Sequence, residues 1–186
     1  MTNKQIVFAF LVVLINSTVA LGQTENGNLV FWSATKRLTV DDFGIKVKNE
    51  SSPSFAQFSV DYQVNGFDFM TKNFNKKVRN YMIISASWID TTSNVIESLR
   101  YQQTLFDLCE IYTRQFRKEL KENRKKIASG SQFVDELNQK IMTDFANRRV
   151  VYNKETNYGL LTDKQLNWEK QIIKELEELK DYAFDK

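Results

Sequence analysis

The chain has 186 residues, with 26 Lys and Arg against 23 Asp and Glu and no histidine. A formal charge of +3 is too mild to point to a nucleic-acid partner, and the missing imidazole removes the commonest metal ligand and the only unperturbed side chain that titrates between about pH 5 and 8. The lone cysteine, Cys109, excludes an intramolecular disulfide and a cysteine metal cluster, and no serine has a histidine with which to build a triad.

In chain order, the first segment to read is a leader. Lys4 precedes the apolar run Ile6 to Ile15, and Ala20 and Gly22 stand three and one places before Gln23, the pattern of a cleaved secretory signal over 1–22. The run is shorter than the roughly 20 apolar residues that span a bilayer. The expectation is a secreted or periplasmic protein with no membrane anchor after cleavage. One domain over 23–186 would follow, with net charge +2 once Lys4 is lost. An aromatic share of 13% supplies a core without disulfides, since each such side chain buries on the order of 150–250 Å².

Leu29 to Trp32 is a short strand candidate, and Pro53 lies in a polar loop. Ala56, Phe58, Val60, Tyr62 and Val64 alternate with polar residues, the two-residue period of a half-buried strand. Asn65-Gly66 and the apolar Phe67 to Met70 then read as a hairpin. Val78 to Ile89 carries apolar residues on both parities, which predicts a strand covered on both faces. Near Ser93 the period becomes helical. A long helix is predicted over 94–127, with Asn94 and Glu97 as a capping pair, and Ser129-Gly130-Ser131 ends it. A second helix is predicted over 132–148, with Phe133, Leu137, Ile141 and Phe145 spaced by four, followed by a loop over 151–159. The last helix opens on the box Thr162 and Gln165 and lines Trp168, Ile172, Leu176, Leu179 and Ala183 along one face. Neither internal repeats nor low-complexity segments occur. The fold class is therefore α+β: a small antiparallel or mixed sheet from the N-terminal half, packed against a long helix and two further C-terminal helices.

Charged stretches read as solvated faces. Arg114, Arg117, Lys118, Lys121, Arg124, Lys125 and Lys126 are interleaved with Glu119 and Glu122, and cations suit the end of a helix. Glu169, Glu175, Glu177, Glu178 and Asp181 are matched along the chain by Lys170, Lys174 and Lys180.

Four stretches together carry a resemblance. They are Leu38-Thr39-Val40-Asp41-Asp42-Phe43-Gly44, the pair Ser87-Trp88, the helix Leu99 to Arg117, and Tyr152-Asn153-Lys154-Glu155-Thr156-Asn157-Tyr158-Gly159, with Gln165 and Trp168 downstream. In order and spacing they resemble the bacterial secreted family called domain of unknown function 922, described as zinc-dependent proteases, whose helix carries H-E-Q-x-H. In such a motif, histidines at i and i+4 hold zinc and the glutamate between them is the general base. A distant third ligand leaves one coordination position open. The resemblance implies a zincin-like scaffold.

Carried across, Tyr101 stands at the first histidine, Gln102 at the glutamate, Leu105 at the second histidine and Tyr158 at the downstream one. Leucine has no lone pair for a metal, and a carboxamide takes no proton at neutral pH. No catalytic residue, metal ligand or cofactor is therefore expected. The framework of the motif persists in Gln103, Phe106, Asp107, Glu110, Tyr112, Glu155, Thr156 and Gly159, which read as structural. Tyr101, Leu105, Leu108, Cys109, Tyr112 and Phe116 fall on one apolar stripe at about 100° per residue, which implies a pocket packed shut and an inert, buried Cys109.

The reading is a degenerate, non-catalytic relative with a binding or structural role toward an unidentified protein or peptide. The alternatives are a hydrolase using another site with Glu155, Asp107 or Glu110, and an unrelated secreted α+β binding domain. The first reading requires Tyr158 to approach the helix face bearing Tyr101 and Leu105.

Overall fold

The computed structural model describes residues 26–50 and 53–186, so the predicted signal over 1–22 lies outside the described residues. The sheet is mixed and built on its longest strand. Strand β1 (Leu29–Phe31) pairs antiparallel with residues 81–83 of β4 (Val78–Asp90), and β2 (Ile45–Val47) pairs parallel with its end at 88–90. Strand β3 (Ser54–Tyr62) runs antiparallel along the other side of β4. Ser54, Ala56, Phe58 and Val60 alternate inward as their period requires.

Register slips between Phe55 and Gln57, where β4 bulges. The Ser87 hydroxyl fills the gap, donating to the Ile83 carbonyl at 2.6 Å and accepting from the Gln57 N–H at 3.0 Å. Gly44 presses on the same bulge. Its N–H donates to the Ile84 carbonyl at 2.9 Å, and a Cβ there would lie 2.6 Å from that oxygen.

Two sheet expectations need correction. Asn65-Gly66 does not turn a tight hairpin, because Asn65 caps a 3₁₀ turn, Gly66–Met70. Its Oδ1 accepts from Phe67 N–H while Asp68 accepts from Asn65 N–H, at 3.0 and 2.8 Å. The partner of β3 is the more distant β4. Nor is β4 covered on both faces: Val78, Asn80 and Met82 are buried, whereas Arg79, Tyr81 and Ile83 are half-buried on the outer face beside Phe31.

The inner face packs on α1 (Val95–Glu122), with Phe58 stacked on Phe106 at 4.9 Å between centroids. Helix α1 contains neither Gly nor Pro and stops at Asn123, after which α2 (Arg124–Ile127) adds a single turn. Asn94 precedes α1 in the left-handed region, φ 50°, so its side chain makes no cap. The stripe is buried as expected at Tyr101, Leu105, Leu108, Cys109 and Phe116, with Tyr112 half-buried.

The basic run is not wholly solvated. Arg114 and Arg117 are buried, and one oxygen of the buried Glu110 accepts from both, at 3.0 and 2.8 Å. Two buried cations on one carboxylate occupy what the sequence presents as an outer face.

Helix α3 (Gln132–Thr156) runs through the predicted loop, because Tyr152, two turns beyond Phe145, and Thr156, one turn further, continue its inward face and are fully buried. The chain then turns through Asn157, Tyr158 and Gly159 at φ 46°, 56° and 86°. Helix α4 (Thr162–Glu178) starts without the predicted box: Thr162 is its first residue and Gln165 turns inward. Ala183 lies beyond it, after a 3₁₀ turn, Lys180–Tyr182. The architecture is α+β, with α1 between the sheet and the pair α3 and α4. No helix among the described residues is long and apolar enough to cross a membrane.

Candidate functional site

Helices α1 and α3 and the turn that follows α3 converge on the positions where the resemblance places a metal. Tyr101 lies between two rings: it stacks on Tyr152 at 5.2 Å and 10°, and Tyr158 tilts against it at 6.3 Å. Tyr158 thus approaches the Tyr101 face of α1 from 57 positions downstream. The turn that delivers it needs Gly159, since a Cβ there would sit 2.7 Å from the Tyr101 Cβ. The Gly159 N–H donates to Thr156 Oγ1 at 3.1 Å, and Thr156 in turn bonds the Tyr152 carbonyl.

Each of the four positions singled out by the resemblance has different surroundings. Tyr101 donates to Asn153 Oδ1 at 2.5 Å. Gln102 donates Nε2 to Ser54 Oγ at 3.0 Å and leaves Oε1 buried without a partner. Leu105 is wholly buried in the core. Tyr158 is about half exposed, at 53%.

A zinc ion does not fit this donor set. Burial pushes the Tyr101 phenol well above its ordinary range, with Tyr158 adding to the rise and Arg149 opposing it, so phenolate is disfavoured. The remaining donors are an amide and a partly exposed phenol. Among the described residues, no group of three or more His, Cys, Asp or Glu is placed to hold a metal.

Nor is the opening fully closed. A concavity of about 380 Å³ remains above Tyr101 and Gln102, walled by Phe55, Trp88, Val150 and Tyr158 and edged by Arg149 and Asn153. Sequence reading missed Arg149, Asn153, Ser54 and Phe55. The four-residue spacing from Phe145 offered a signal, because extending it past Arg148 places Arg149 and Asn153 on consecutive turns of one face.

The polar residues flanking these positions are engaged in the scaffold. Gln103 accepts from the Leu38 N–H at 2.8 Å and donates to Asp107, which also accepts from Trp32 Nε1 and Arg37. Glu155 accepts from Trp168 Nε1 at 2.8 Å. Gln165 joins Tyr152 OH, Thr104 Oγ1 and Glu169, at 2.6, 2.8 and 2.9 Å. Burial alone would lift the Glu169 carboxyl, but the Arg100 fork at 2.6 and 2.7 Å and the Gln165 amide outweigh it and hold it low.

Asp107, Glu110 and Glu155 are each engaged separately. A second concavity, about 360 Å³ between α1 and α4, has Asp107 and Glu169 in its lining, but each already accepts from an arginine.

Comparison with known proteins gives no match to a family model, to a curated protein or to a solved structure.

Proposed function

We propose that this protein is a secreted or periplasmic, non-catalytic relative of the zinc-dependent proteases it resembles, and that it acts by binding a protein or peptide at the concavity over Tyr101. One observation carries the reading: the four resembling stretches, spread over 38–159, gather around the N-terminal half of α1. Leu38 bonds Gln103, Trp88 and Tyr158 line one concavity with Tyr101 and Gln102, and Gly159 lies against Tyr101. The chemistry supports binding over catalysis, since neither a base nor a ligand set stands at those positions while an aromatic opening persists.

Metal analysis and peptidase assays on purified protein test this. The expected result is no stoichiometric zinc and no cleavage of unstructured peptides. One equivalent of zinc, with peptidase activity lost on chelation, would overturn it. A quadruple variant, Tyr101→His, Gln102→Glu, Leu105→His and Tyr158→His, checks the scaffold itself: if folded by circular dichroism, it should take up zinc where the parent does not. Failure of that folded variant to bind zinc favours an unrelated binding domain.

A further inference from the structure

Arg148 and Arg149 are adjacent in α3 and are treated differently. Arg148 forks onto Glu175 with bonds of 2.6 and 2.5 Å. Arg100, Arg114 and Arg117 likewise reach carboxylates. Half-buried Arg149 has no carboxylate within 4 Å among the described residues, and its hydrogen bond there goes from Nη2 to the Ala56 carbonyl at 3.2 Å. Its other neighbours are rings, with the guanidinium 5.1 Å from the Phe55 centroid and 5.9 Å from that of Phe58. A guanidinium carries five donors, and a desolvated cation without an anion is costly. Arg79 is also unpaired by a carboxylate, but Phe31 and Phe184 lie 3.8 and 4.7 Å from its guanidinium. Arg79 also lines a concavity but shares it with Asp61, Lys76 and Lys77, whereas Arg149 is, among the described residues, the one charged side chain in the lining of the concavity described above.

The walls narrow the ligand class. Phe55, Val150 and Tyr158 are exposed there, and Trp88 and Tyr101 complete an apolar lining. Apolar side chains gathered around a concavity suit an apolar ligand, and about 380 Å³ lies within the usual range of roughly 300–1,000 Å³ for ligand pockets. An inorganic anion would meet the charge and leave the rings wet. A plain apolar side chain would cover the rings and leave the cation unmatched.

We propose that the concavity takes a carboxylate borne on an apolar body, namely the C-terminal end of a peptide with a large apolar last residue. The carboxylate forks onto Arg149, the geometry for which guanidinium is suited, and the last side chain lies against Phe55, Trp88 and Tyr158. The proposal rests on the binding reading above and names its ligand.

Tryptophan fluorescence and calorimetry on the full chain test it, with three probes: N-acetyl-Gly-Gly-Phe, the same peptide as its C-terminal amide, and 3-phenylpropionate. The acid should bind at least tenfold more tightly than the amide, and Arg149→Gln should abolish that difference with circular dichroism unchanged. Arg149→Lys should keep part of the preference, as a cation without the fork. Phenylpropionate matching the peptide acid would keep the carboxylate site and reassign its source to small organic acids. Equal binding of acid and amide overturns the carboxylate proposal and leaves the peptide-binding reading standing. Absence of binding by all three probes overturns the proposal, and the zinc and peptidase assays then decide the fate of the reading beneath it.

Discussion

Glu110 is the residue on which most of the buried charge depends. Its Oε1 accepts from Arg114 and Arg117, while Arg117 also donates to the Val78 carbonyl at 3.0 and 2.8 Å and to the Tyr182 carbonyl at 2.8 Å. Glu110→Gln keeps the volume and leaves two cations unmatched, so a loss of about 3–5 kcal/mol in urea unfolding is expected. Replacing all three with apolar residues should cost less than that single change. Gly159 is constrained in two ways, by φ 86° and by the Tyr101 ring. Gly159→Ala should lose at least about 2 kcal/mol by the same measurement, since backbone strain alone contributes on the order of 1–3 kcal/mol. Cys109 is fully buried, and burial pushes its thiol up to about 12. It should stay unreactive toward a disulfide reagent at pH 8 in the native protein and react once urea unfolds the chain.

At the scale of elements, the sequence was most legible where a periodic run met its partner face directly. The alternation at Ala56, Phe58 and Val60 named β3, and the absence of breakers after Asn94 named α1. Reading failed where polar residues serve inside. Tyr152-Asn153-Lys154-Glu155-Thr156 looks like a loop by composition, yet Tyr152 and Thr156 face the core and carry α3 two turns further. Arg114 and Arg117 looked solvated because their spacing from Glu110 suits an exposed pair equally well, and nothing local reveals the distant carbonyls of Leu176, Val78 and Tyr182 that receive them inside. The same limit hid Arg149, whose meaning depends on Phe55 arriving from β3. The aromatic pairing of Tyr101 with Tyr158 was legible only through the resemblance, since no period links residues so far apart.

For the whole molecule, the missing histidines become a statement about acid and alkali. Burial would raise Asp68, but Lys77, the Asn65 N–H and Thr71 outweigh it and bring it low. Asp90 is held low by the Thr92 hydroxyl and N–H and by Glu50 N–H. Glu175, with Arg148 against its burial, is low as well. A carboxyl whose folded pKa is depressed contributes stability above its unfolded value, about 4, and loses it as pH falls through the folded value. With no imidazole in the chain, the urea midpoint should be flat from about pH 6 to 8. It should fall below about pH 4. Cys109, Tyr101 and Tyr152 are all raised, chiefly by burial, so the alkaline decline should begin where the unfolded thiol ionises, about pH 8.5, and steepen where unfolded phenols do, near pH 10. A slope between pH 6 and 8 would contradict this assignment of low-lying carboxyls.

Arg117 also bears on the order in which the molecule comes together. One side chain closes loops of 39 positions back to Val78 and 65 forward to Tyr182. Loops of that length are rewarded only after the sheet and the last turn have both arrived, which places the clasp on the late side of the folding barrier. Arg117→Met should therefore leave the refolding rate unchanged and speed unfolding about tenfold for each 1.4 kcal/mol lost, moving one arm of the chevron alone.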